Sequence, residues 1–242
     1  MQHILGILGG MGPLATVDFM EKIIRATPAE RDQDHVPVIT ASIPQIPDRS
    51  DAITGTGPSP LTAMVTSARR LQRAGAQAIA IPCNTAHRWH ADIERHTDLP
   101  MFHMADAAVA AVTGSGVSAG SRVGILATTG TLAFGMYQQR LAAAGMQALA
   151  LTDQAQDGLV MAGIRAVKAG DTDNGGAKLA AAADGLLAQG AERIILACTE
   201  IPPALAAAGR RDGVYIDATD ALARACVDWA LDGQSEFAQQ AA

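Results

Sequence analysis

GILGGMGPLA, residues 6–15, returns as GILATTGTLA at residues 124–133, an offset of 118. Each copy joins an apolar run to turn residues and then to the start of a second apolar segment. A further pair follows in the same order: GAQAIAIPC (75–83) and GAERIILAC (190–198), offset by 115. A looser third pair, FHMADAAVAA (102–111) and IDATDALARA (216–225), is offset by 114. Similarity among α/β strands is the plainer alternative, and the third pair is open to it. The first two share turn residues as well as apolar ones, and three matches in one order at nearly constant offset indicate two copies of one unit.

Outward from these stretches, apolar runs alternate with helical patterns. HILGILGG (3–10) reads as a buried strand, and PLATVDFMEKIIRAT (13–27) as a helix with Pro13 in its first turn. VPVITASI (36–43) reads as a second strand. SPLTAMVTSARRLQRAG (59–75) reads as an amphipathic helix closed by Gly75, and AIAIP (78–82) as a third strand. RVGILA (122–127), MQALAL (146–151) and RIILA (193–197) are strands, each with a loop and helix after it. Strands alternating with helices predict an α/β fold whose parallel sheets are covered on both faces.

The composition narrows the function. With 49% hydrophobic residues the chain can fill a core, and with 3% aromatics small aliphatics must fill it. The 24 acidic against 18 basic residues, with no Lys/Arg run, argue against nucleic acid as a partner. An anionic substrate would have to be met by a few placed cations. No run approaches the ~18 apolar residues of a membrane span. The start MQHILGILGGMGP lacks the basic region of a secretory leader. Cys83, Cys198 and Cys226 are an odd number without paired spacing, which argues for a reducing compartment. A cytoplasmic protein is expected.

Two of the three cysteines end matching strands. A disulfide across 115 residues is rare in a cytosolic α/β protein. A zinc site would need close ligands that CTEIPP does not supply, although His87 and His90 follow Cys83. Burial as plain core cysteines is the bland alternative. Against it, polar residues follow each: Asn84-Thr85 and Thr199-Glu200. A helix N-terminus there would lower the thiol pKa from about 8.5 and expose thiolate near neutrality. One chemistry uses two such groups symmetrically: a thiolate takes a proton from one face of a carbon acid while a thiol returns one to the other.

GILGGMGPLAT near the start, IPQIPDRS (43–50), PCNTAH (82–87), LATTGT (126–131), GIRAVKAG (163–170) and ACTEI (197–201) together resemble the aspartate/glutamate racemase family, in its cofactor-independent aspartate racemase branch. The resemblance spans residues 4 to 201. It implies two similar, pseudo-symmetric α/β lobes with parallel sheets and the active site in the cleft between them. The lobes are interleaved, 1–103 plus 214–242 forming the first and 104–213 the second. It further implies a homodimer, an amino-acid substrate, and neither pyridoxal phosphate nor metal. The catalytic pair falls on Cys83 and Cys198. Met11 matches a position whose backbone meets substrate. Asn84 and Thr85 match donors to the α-carboxylate, and Thr199 and Glu200 hold the equivalent place beside Cys198. Arg49 and Lys168 match substrate-binding cations, and Thr128 lies in the repeat partner of the first loop. The first loop has no acidic residue and Glu200 stands where glutamate racemases carry histidine, two departures that favour aspartate.

Each residue has a plainer alternative. Arg49 lies between Asp48 and Asp51, where a surface ion pair is expected. Lys168 could complement a helix C-terminus. His87 is expected to be a packed or hydrogen-bonded neighbour, and His90, His96 and His103 have no motif support. Asp106 and Asp220 suit helix caps. Cys226, on an apolar helical face with Leu222 and Trp229, reads as core. GILGGMG lacks the Gly-x-Gly-x-x-Gly spacing, and the second strand has no acidic residue for a ribose, so a dinucleotide site fails. A broad-specificity racemase, a related carbon-acid isomerase or decarboxylase, a non-catalytic amino-acid binder and a redox-regulatory cysteine pair stay open as alternatives.

Overall fold

The structure, a computed structural model, describes residues 3–211 and 213–240, with side chains described to residue 232. The expected lobe ends at 1–2 and 241–242 lie outside the described residues. The chain divides into two compact units, Met1–Met104 with Thr219–Ala242, and Ala105–Ala218.

In the first unit, β1 (Leu5–Gly9) leads into α1 (Pro13–Ala26), followed by β2 (Val38–Ser42), α2 (Arg49–Thr54), α3 (Leu61–Arg73), β3 (Ala78–Ala80), a 3-10 turn (Thr85–Trp89) and α4 (His90–Glu94). The sheet is parallel with order β2-β1-β3, Leu5 pairing with both Val38 and Ala78. As the centre strand, β1 is buried at every position, which is why it reads as an unbroken apolar run. After it the chain turns at Gly10, whose φ is +90°. A Cβ there would meet the Ile43 backbone nitrogen at 2.3 Å, so only glycine fits. The Gly10 amide donates to Thr16 Oγ1 at 2.8 Å, tying the loop to α1. Helix α3 buries Met64, Val65, Ala68 and Leu71 on one face against Leu8, Ile79 and Ile81.

The second unit opens with α5 (Met104–Gly114), whose first residue belongs to unit one, and continues through β4 (Arg122–Ala127), α6 (Thr129–Phe134), α7 (Met136–Ala143) and β5 (Gln147–Leu149). Helix α8 (Asp153–Ala155) runs through a π-helical turn (Gln156–Met161) into α9 (Ala162–Lys168). Then come α10 (Thr172–Ala188), β6 (Arg193–Ala197), α11 (Ile201–Ala207) and β7 (Tyr215–Asp217). This sheet is also parallel, with order β5-β4-β6-β7. Leu126, Val160, Ile164, Leu179, Leu186, Ile194 and Leu196 form its core.

The two strand orders are the same order. β1, β2 and β3 correspond to β4, β5 and β6, as the sequence repeat requires. The fourth strand was not legible in the sequence. In unit two it is β7, with Ile194 opposite Tyr215; in unit one it shrinks to a single bridge between Ile79 and Met101. Those residues are repeat partners.

The final helix, α12 (Ala218–Gln240), belongs to unit one from Thr219 onward. Leu222 and Cys226 are fully buried, and Trp229 packs edge-on against Phe102 at 5.6 Å and beside His3 at 4.8 Å. Cys226 is thus a core residue. Among the described residues no helix is long and apolar enough to cross a membrane.

Candidate functional site

Around Cys83 the first unit gathers several of the expected residues. Cys83 follows β3 and is buried, with its amide donating to Ile81 O at 2.8 Å. It shares an apolar cluster with Met11 from the first loop and Ile46 from the IPQIPDRS segment. Asn84 and Thr85 are buried directly after it, where the chain enters a 3-10 turn instead of the expected α-helix.

Arg49 does not form the surface ion pair that its acidic neighbours suggest. Asp48 caps α2 through the amides of Ser50 and Asp51, at 2.7 and 3.1 Å. The Arg49 guanidinium instead donates one nitrogen to Ile46 O and Pro47 O, at 3.1 and 2.9 Å. Among the described residues it has no carboxylate partner, and its Nε is buried without an acceptor. A half-buried cation held by carbonyls and lacking a counterion is suited to an anionic ligand.

His87 is a positioning group. Its Nε2 accepts the Met104 amide at 3.1 Å, so the proton sits on Nδ1, which donates to Cys83 O at 2.9 Å. Both ring nitrogens are therefore occupied in holding the cysteine loop. His90 and His103 pack against it, with ring centroids 5.7 and 4.7 Å away. Among the described residues no group of three or more His, Cys, Asp or Glu is placed to hold a metal ion.

In the second unit, Cys198 immediately follows β6. The register pairs Ala127 with Ala197, so Thr128 and Cys198 leave adjacent strands side by side. The Thr128 hydroxyl accepts from the Thr131 amide at 3.2 Å and caps α6. Thr128 is buried, and its hydroxyl is also 3.0 Å from that of Thr131. Lys168 ends α9, is exposed, and has no ion-pair partner among the described residues. Its charge is felt at Cys198, where it favours the thiolate.

The expectation that the following helix lowers this thiol's pKa is overturned. Burial first, and then the Glu200 carboxylate, push Cys198 well above the ordinary thiol value, and Lys168 offsets this only in part. The helix behind it has only seven residues, and a full negative charge stands at its cap. Cys198 Sγ donates to Glu200 Oε2 at 3.0 Å, and Thr199 Oγ1 donates to the same oxygen at 3.2 Å. Glu200 is thus an acceptor for its two neighbours, a role that the motif ACTEI does not spell out. Tyr137 of α7 also escaped the sequence reading. It is fully buried, and burial raises its phenol strongly, followed by the fields of Asp217 and Cys198.

The chain is similar to known proteins over nearly its whole length. The solved structure of Picrophilus torridus aspartate racemase superposes with a TM-score of 0.81 at 33% identity, covering 94% of each chain. A Pseudomonas entomophila glutamate racemase is 36% identical over 163 residues, 64% of this chain and 58% of that protein. A Bacillus subtilis broad-specificity amino-acid racemase is 27% identical over 155 residues, 60% of this chain and 63% of that one. The chain therefore spans less than two thirds of the length of either of these last two relatives. The Asp/Glu/Hydantoin racemase family model matches residues 8–226. Repeated parallel α/β units, a buried thiol at the same strand end in each, and a family match over nearly all of the chain lead to one conclusion: the chain belongs to the Asp/Glu/Hydantoin racemase family.

Proposed function

We propose that this protein racemises an acidic amino acid, aspartate in preference to glutamate, by a two-thiol, two-base mechanism. The observation that carries the proposal is the recurrence of a buried cysteine after the equivalent strand of each unit, Cys83 after β3 and Cys198 after β6. One sulfur, as thiolate, removes the α-proton and becomes a thiol. The carbanion or enediolate left behind takes a proton on its opposite face from the other sulfur, which becomes a thiolate. No bond to the enzyme forms, and one proton is exchanged for another. The two protonation states then serve the two enantiomers in turn. All proton transfers lie on the thiols, so neither pyridoxal phosphate nor a metal is invoked.

Charge on the intermediate must be met by donors and cations. Asn84 and Thr85 supply donors next to Cys83, Thr199 stands beside Cys198 with its hydroxyl engaged by Glu200, and the Met11 and Thr128 loops follow β1 and β4, each within its own unit. Arg49 and Lys168 are the cations proposed for the substrate's carboxylates, Lys168 for the distal one. Their lack of counterions among the described residues supports this. The likeness to the Picrophilus aspartate racemase supports aspartate as substrate, as does the absence of an acidic residue in the first loop. Three free cysteines suit a cytoplasmic setting. A homodimer is proposed as the working state, supported by an exposed apolar row on α1, Leu14, Val17 and Ile24.

Solvent deuterium incorporation at the α-carbon tests the reading, using each enantiomer of aspartate and of glutamate with chiral analysis and no added cofactor. Exchange with inversion from both hands of aspartate, faster than glutamate, is expected. Absence of exchange with all four amino acids would sink the proposal in favour of another carbon acid or of simple binding.

A further inference from the structure

The two thiols, equivalent by repeat, differ in what stands two residues beyond them. After Cys198 that residue is Glu200, whose carboxylate accepts the Cys198 S–H at 3.0 Å and the Thr199 hydroxyl at 3.2 Å. After Cys83 it is Thr85, which carries no charge. A carboxylate can only accept, so the bond at Cys198 exists only while the sulfur keeps its proton.

We propose that Glu200 is a positioning residue that holds the proton on Cys198, so that of the two thiols Cys198 takes the part of the acid in the resting protein and the part of the base falls to Cys83. The inference rests on the two-thiol reading above. Among the described residues, the charged and titratable groups felt around Cys198 are Glu200 at the cap of α11, Lys168 at the end of α9 and Tyr137 of α7. Burial and Glu200 act in one sense and Lys168 in the other, and the first two prevail.

The two substrate hands then meet unequal enzyme. The hand whose α-hydrogen faces Cys83 finds a base already formed; the other requires the minor form with thiolate on Cys198. Because enantiomers are equal in energy, kcat/KM is the same in both directions. KM and kcat separately are not: both are lower for the hand that uses the resting form.

Alkylation by iodoacetamide, followed by peptide mass spectrometry at Cys83 and Cys198 across pH, tests this without relying on turnover. The midpoint of each rate–pH curve reports the thiol and does not depend on its access. In the native protein the Cys198 midpoint is expected well above the ordinary thiol value near pH ~8.5. Glu200→Gln, which keeps an acceptor but removes the charge, should lower the Cys198 midpoint by about one unit or more, the scale set by one adjacent charge. Cys83 should not move, and Glu200→Asp should keep the midpoint high. In racemisation assays the difference in KM between the two hands should narrow in Glu200→Gln. A native Cys198 midpoint at or below the ordinary thiol value would overturn the proposal, as would a midpoint unmoved by Glu200→Gln. Absence of racemisation in the native protein, with the Cys198 midpoint high and lowered by Glu200→Gln, would instead overturn the two-thiol reading.

Discussion

Replacing either Cys83 or Cys198 by alanine removes one of two proton carriers and leaves the other in place. Inversion should fall by about 10²–10⁴-fold or more, the usual worth of a positioned acid or base. Each single variant should still exchange the α-hydrogen of one hand, and each a different hand, without inverting it. Deuterium wash-in with chiral chromatography separates exchange from inversion; undiminished inversion in either variant would exclude the mechanism. Two buried thiols, Cys198 and Cys226, leave a mark on stability. Burial holds Cys226 well above the ordinary thiol value, and burial with Glu200 does so for Cys198. Unfolded thiols release protons near pH 8.5 while these two retain theirs, so above that pH the unfolded state binds fewer protons. Their contribution is complete below pH ~8.5 and is lost as pH rises toward the folded values, by up to about 1.4 kcal/mol per pH unit for each thiol. Urea midpoints at pH 7.5, 8.5 and 9.5 should fall in that order, with a shallower fall in Cys226→Ala.

Lys168 depends on the packing of α9 against α10, and that packing depends on glycine. A Cβ at Gly175 would meet Val167 Cγ2 at 2.5 Å and Gly163 O at 2.9 Å. Gly175→Ala would gain about 1 kcal/mol of helix propensity, but overpacking typically costs about 1–3 kcal/mol. The clash is partly with backbone, so α9 must shift. The variant is expected to melt a few degrees lower and to show a raised KM for aspartate, since Lys168 ends the displaced helix. A native-like KM would separate Lys168 from the site. At this scale the sequence was informative where the pattern is local: β1, β4 and β6 read as buried runs, and α3 as an amphipathic helix stopped at Gly75. β7 was missed because three residues, Tyr-Ile-Asp, offer neither run nor alternation. The candidate site was legible in its residue types and strand ends. The direction of the Cys198 shift was not, because it depends on the rotamer of Glu200 and on burial. Nor was the environment of Arg49, whose acidic neighbour Asp48 is taken up in capping α2.

At the scale of the molecule, α1 leaves Leu14, Val17 and Ile24 at 85%, 61% and 54% exposure along one side. If this row is covered in the proposed homodimer, the double variant Leu14→Glu/Ile24→Glu should sediment as a monomer with unchanged circular dichroism. A native protein that already sediments as a monomer would exclude the dimer. The placement of α12 bears on how the chain is made. Unit two is one continuous stretch, Ala105–Ala218, whereas unit one waits for a helix encoded after unit two. As the chain leaves the ribosome, the second unit can close while the first, although synthesised earlier, still lacks Leu222, Cys226 and Trp229 from its core. A nonsense mutation within the codons for α12 therefore harms the unit that was translated first.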